Sequence, residues 1–150
     1  MPDTNPTLDM IYQGWNTYQT MLAELLEPLS AEQLAVTLDG ERPAWLIAAH
    51  IIGTRVGWFQ GALEIGKDDP VMAGYETWDH DDAPPHPRSG AELARGLHDT
   101  WRMMQDGIAD WPPEAFAATF TSPSGRTRTR GWVLWHVLEH DLHHGGELCL

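Results

Sequence analysis

Leu8, Ile11, Trp15, Tyr18, Leu22 and Leu25 recur every three or four residues, a spacing that predicts an amphipathic helix ended by Pro28. Ser30-Ala31-Glu32-Gln33 has the form of a capping box and predicts a short helical turn. A second long helix is expected to open near Pro43, placed as a first-turn residue. It would run through Trp45, Leu46, Ile47, Ile51, Ile52, Val56, Trp58, Phe59 and Leu63. These apolar positions fall on nearly every face, so this helix is expected to be buried on most sides.

Residues 66–89 break the pattern. Asp68-Asp69-Pro70 and Asp79-His80-Asp81-Asp82-Ala83-Pro84-Pro85-His86-Pro87 predict no regular element. A connection of this length reads either as a lid or as the long crossover of a four-helix bundle. Ser89-Gly90-Ala91-Glu92 is a second capping box, opening a third helix through Leu93, Leu97, Trp101, Met104 and Ile108 that Trp111-Pro112-Pro113 stops. Residues 118–130 alternate weakly around Ser122-Pro123-Ser124-Gly125 and predict a hairpin. A fourth helix follows. The expectation is an all-α protein, a four-helix bundle forming one domain over residues 1–150. It has a long crossover between the second and third long helices and a small extended hairpin before the fourth.

Composition narrows the partners. At 150 residues and 42% hydrophobic, the chain can bury a core and is not disordered. A formal charge of −13 argues against nucleic acid, which requires clustered Lys and Arg. The short basic run from Arg126 to Arg130 reads as a solvated hairpin. Cys149 is the sole cysteine, so an intramolecular disulfide is impossible, a reducing compartment is expected, and the thiol is read as structural or incidental. Residues 1–6 carry neither the basic nor the apolar part of a signal peptide, and no apolar run is long enough for a membrane span. A soluble cytoplasmic protein is the expectation.

Candidate chemistry lies in the last helix. Four of the chain's eight histidines fall between positions 136 and 144. Histidine is the commonest metal-ligand side chain, and residues four apart share a helix face. His140 and His144 form such a pair. His136 and His144 are separated by about 12 Å of helix rise, too far to share an ion whose nitrogen ligands sit at roughly 2.0–2.1 Å. A third ligand is therefore expected from another helix. His98, beside Asp99, is read as exposed, and His80 and His86 as solvated in the acidic loop. His50 stands mid-helix among apolar and small residues, with Ala49, Gly53 and Gly57 allowing another helix to come close. It is chosen as the third ligand, the alternative being a hydrogen-bonded core histidine. His143 is read as a supporting or surface group, and His136 as supporting, packing or solvent-facing. Glu139, Asp141 and Glu147 are near enough to orient ligand rings, and Asp141 is expected on a solvated acidic face. Trp45, Trp58, Trp101, Trp132 and Trp135 are expected mostly in the core or an interface, some lining a pocket above the metal or a dimer contact.

The segment from Arg130 to Leu148, with His140 and His144 followed by Gly145-Gly146-Glu147, resembles the final motif of the DinB/YfiT-like metalloenzymes, and Ala48-Ala49-His50-Ile51 resembles their first. The resemblance spans nearly the whole chain. It implies up-down-down-up topology, homodimers, and a divalent ion, zinc or nickel, on three histidines that fall at His50, His140 and His144. It also implies a low-molecular-weight thiol cosubstrate such as mycothiol or bacillithiol, as used by the transferases and isomerases of the family. Many relatives carry Arg-Gly-Gln where this chain has Gly145-Gly146-Glu147, so a positive charge beside the metal is missing. The chain stops at Leu150, and the last helix is expected to be short on that side.

The expected function is a metal-dependent enzyme acting by thiol S-transfer on a small molecule. The alternatives are a metal-dependent hydrolase and a non-catalytic metal- or ligand-binding dimer related to stress. Glu139, His80 and His86 are the candidates for a general base.

Overall fold

The computed structural model describes residues 6–37, 42–79 and 87–149. Its four long helices are α1 (Pro6–Leu26), α3 (Ala44–Leu63), α5 (Gly90–Ile108) and α7 (Arg130–Glu147). Between them lie three short helices, α2 (Ala31–Leu34), α4 (Pro70–Ala73) and α6 (Pro113–Ala117). A 3-10 turn covers Glu76–Asp79, and β1 (Thr119–Thr121) pairs antiparallel with β2 (Thr127–Thr129), Phe120 opposite Arg128.

Both capping boxes form. Ser30 Oγ accepts the Gln33 amide and the Gln33 side chain accepts the Ser30 amide; Ser89 and Glu92 do the same at α5. Two expectations are corrected. Pro43 is the residue before α3 rather than inside its first turn, extended at ψ 152° and offering its carbonyl to Leu46 and Ile47. The Gly66–Ser89 stretch does contain regular structure. Asp69 caps α4 by accepting the Val71 amide, and Pro70 supplies the preset first-turn φ. The Pro112-Pro113 pair that stops α5 also starts α6. Positions 80–86, with His80 and His86, lie outside the described residues.

The core draws fully buried side chains from all four long helices: Leu22 from α1; Ile51, Ile52, Val56 and Phe59 from α3; Leu93 and Leu97 from α5; Val133 and Val137 from α7. Each such side chain contributes about 1.5–3 kcal/mol relative to exposure. α3 packs on both α5 and α7, and α1 packs on α5 and touches α7. α3 is buried around most of its circumference, as its unbroken apolar pattern predicts. No helix among the described residues is long and apolar enough to cross a membrane.

Candidate metal centre

α7 is set in place from its first residue. Thr129 ends β2 and caps α7, its hydroxyl accepting the Trp132 amide at 3.0 Å. The Arg130 amide donates to the Ala118 carbonyl at 2.8 Å, tying the helix start to the end of α6.

The register of α7 against α3 is fixed by a buried ion pair. Asp141 is fully buried, not on a solvated face as its acidic surroundings suggest. It accepts from Arg55 Nη2 at 2.7 Å and Arg55 Nε at 3.0 Å, and from the Trp15 indole N–H at 2.7 Å. Arg55 Nη1 donates to the Leu97 carbonyl and to Thr100 Oγ1. One network therefore joins α1, α3, α5 and α7. Arg55 escaped the reading of the sequence, although the signal was there: it is the only charged residue between Ala44 and Leu63. A lone guanidinium in an apolar helix requires a carboxylate from elsewhere.

One position before Asp141, His140 meets His50. Their Nε2 atoms are 2.9 Å apart across ninety positions of sequence, and Thr54 Oγ1 lies 3.5 Å from His140 Nε2. The His144 ring stands 4.7 Å from His50 and 4.4 Å from His140, centroid to centroid. His50, His140 and His144 bring ligand atoms to within 4.8 Å of one another, all three partly buried. Nitrogens at about 2 Å around a tetrahedral ion are roughly 3.3 Å apart, so small side-chain shifts would seat a divalent cation here. The donor set fits that cation. Glu147 Oε2 lies 2.8 Å from His144 Nδ1. A carboxylate only accepts, so Nδ1 carries the proton and Nε2 keeps its lone pair for a metal. That hydrogen bond holds the Glu147 carboxyl below the usual carboxylate range, against the opposing effect of burial and with lesser help from nearby positive charge such as Arg42.

The remaining histidines separate cleanly. His136 stacks on Trp132 (centroids 4.8 Å, planes 13° apart) and meets Trp58 edge-on at 4.9 Å, with its ring 6.4 Å from His140. It packs, and it lines the space beside the site. The His143 side chain is 63% exposed, and His98 is exposed as expected. His143, His144 and Glu147 also gather at the surface, but the Arg42 guanidinium 3.7 Å from Glu147 opposes a cation there. Glu139, half-exposed, sits 3.7 Å from His136 Nδ1. Cys149 is a free, exposed thiol. Trp45 and Trp101 are core residues, whereas Trp135 is 58% exposed.

One glycine acts differently from expectation. Gly57, expected to admit a neighbouring helix, faces open space. The close approach occurs at Gly145, where an added Cβ would collide with the Tyr18 hydroxyl and crowd Leu22, and Tyr18 donates to the Leu142 carbonyl. A side chain at 145 would have to displace the Tyr18 ring and crowd Leu22.

Beside His50 and His140 opens a cavity of about 520 Å³ between α3, α7 and the hairpin, reached by Trp58, His136, Phe120 and Pro123.

The family model of the DinB superfamily matches residues 15–148, and the chain belongs to that superfamily. No curated protein matches it.

Proposed function

We propose that this DinB superfamily member is a metal-dependent enzyme whose His50, His140 and His144 hold one divalent ion, zinc or nickel, and that it transfers a thiol sulfur to a small molecule. The observation that carries the reading is the convergence of three imidazoles from α3 and α7 at the edge of an open cavity. A structural ion is normally closed off by four protein ligands, whereas a catalytic one keeps a position for substrate. When bound, the ion supplies a Lewis acid that brings a thiol or a water into its acidic range near neutral pH. The chain's own residues do the rest. Glu147 fixes the His144 tautomer, Thr54 lies beside the Nε2 of His140, and the Arg55–Asp141 pair holds α7 so that His140 faces His50.

The proposal includes the up-down-down-up order of the helices, one domain, a low-molecular-weight thiol as cosubstrate, and a cytoplasmic homodimer. Exposed Met21 and Leu25 on α1 and Trp135 and Leu142 on α7 offer apolar surface for a second copy. The same site would serve metal-assisted hydrolysis if water took the place of the thiol.

Metal analysis after purification tests the site. The wild type is expected to hold about one equivalent of zinc or nickel and His140→Ala almost none, and full occupancy in the variant would falsify the ligand set. Turnover of an electrophile by the loaded protein with a thiol, and none without it, separates transfer from hydrolysis.

A further inference from the structure

His50, Thr54, Gly57 and Gly61 follow one another at three- and four-residue steps along one face of α3. The two imidazole-proximal residues lead to two glycines, and a Cβ built at either glycine would meet nothing within 4 Å. The space above them is the cavity beside the metal centre. Trp58 and His136 wall one side, held edge-to-face, and Phe120 with Pro123 from the hairpin wall another. The chain carries 22 acidic and 9 basic residues, yet none of the described residues lining this cavity is charged. Charged groups adjoin the lining without belonging to it: Arg128 stands opposite Phe120 in the hairpin, and Glu139 lies 3.7 Å from His136 Nδ1. A second hollow of about 450 Å³ shares Gly57 and Gly61 but is lined by Gln60, Lys67 and Glu76.

We propose that the cavity over Gly57 and Gly61 is a specificity chamber for an uncharged, planar apolar group, a phenyl ring or its equivalent, on the molecule that reacts at the histidine site. An ion entering here would lose water and gain no countercharge from the walls. A ring loses only its hydration and gains the edges and faces of Trp58, His136 and Phe120. The two glycines set the depth: any larger residue there occupies the volume the ring needs. The placement of the reacting end rests on the metal-site reading above, whereas the chamber's preference does not.

The test has two arms. In the first, metal-free protein is titrated with benzyl alcohol, benzoate and benzylammonium, and the Trp58 indole N–H resonance is followed. Benzyl alcohol is expected to give a saturable shift at least about tenfold tighter than either ion, and Gly61→Leu to weaken it by about tenfold or more. Lys67→Gln, in the second hollow, is expected to leave it unchanged. An ion binding as well as the alcohol, or a Gly61→Leu protein of native circular dichroism that binds benzyl alcohol unchanged, overturns the chamber. In the second, zinc-loaded protein is titrated with benzohydroxamate and acetohydroxamate. A preference of about tenfold for the aryl compound, lost in Gly61→Leu with zinc content unaltered, supports a chamber opening onto the metal, and equal affinities overturn it. A protein that retains no zinc overturns the metal reading instead, and the first arm still decides the chamber.

Discussion

Glu147 shows how much a single side chain contributes to this site. It stands one helical turn after His144 and accepts its Nδ1 proton, so the ring is oriented before any cation arrives. Removing the carboxylate by Glu147→Ala is expected to weaken divalent-metal binding by about 10- to 100-fold, with Glu147→Gln recovering part of the loss. Competition against a chromophoric chelator measures this, and an unchanged affinity in Glu147→Ala would show that the ring orients itself. Residue identity was legible where helix period applies. His140 and His144 follow from four-residue spacing, and His50 from being a lone imidazole in an apolar run. Asp141 was not legible, because in an acidic helix one more aspartate gives no sign of facing inward. Only its partner reveals that, and the partner lies 86 positions away.

Among the elements, α3 and α7 are locked together by Arg55 and Asp141, directly behind the His50–His140 contact. Both members of the pair have fully buried side chains. Asp141→Ala leaves the guanidinium buried without its anion and is expected to cost about 3–5 kcal/mol in urea unfolding. Replacing both members by apolar residues, Arg55→Met with Asp141→Leu, is expected to restore most of that stability. A double variant as unstable as Asp141→Ala would contradict the account. The four long helices, the two capping boxes and the hairpin were all readable, since each spans enough residues to show a period or carries a specific turn signal. α4, α6 and the 3-10 turn were not, because an element of four or five residues has no period to detect. Gly57 and Gly145 illustrate a different limit. A glycine announces that a side chain is absent, and only the neighbouring helix decides whether the reason is contact or cavity.

For the molecule as a whole, burial raises the phenols of Tyr12, Tyr18 and Tyr75, and the larger shifts at Tyr12 and Tyr75 bear on stability at high pH. Burial raises the Tyr12 phenol to about 12, and burial together with the hydrogen bond it donates to Asp99 raises Tyr75 as well. In the unfolded chain both ionise near 10. A raised folded pKa means that the neutral phenol's contribution is complete below about pH 10 and is lost as pH climbs from there through the folded values. The fold is therefore expected to hold its helical circular dichroism to about pH 10 and to lose it above, with phenolate absorbance at these two rings rising only as the helices melt. Tyr12→Phe should flatten that dependence, and a variant with the wild-type profile would remove Tyr12 from the explanation.

Thr129 joins the hairpin to α7 with no residue between them, serving as the last position of one and the cap of the other. The joint has no hinge. The hairpin wall and the α7 wall of the cavity are therefore one continuous piece of chain facing α3, so a substitution that shifts the tip at Pro123 is expected to shift His136 and His140 with it.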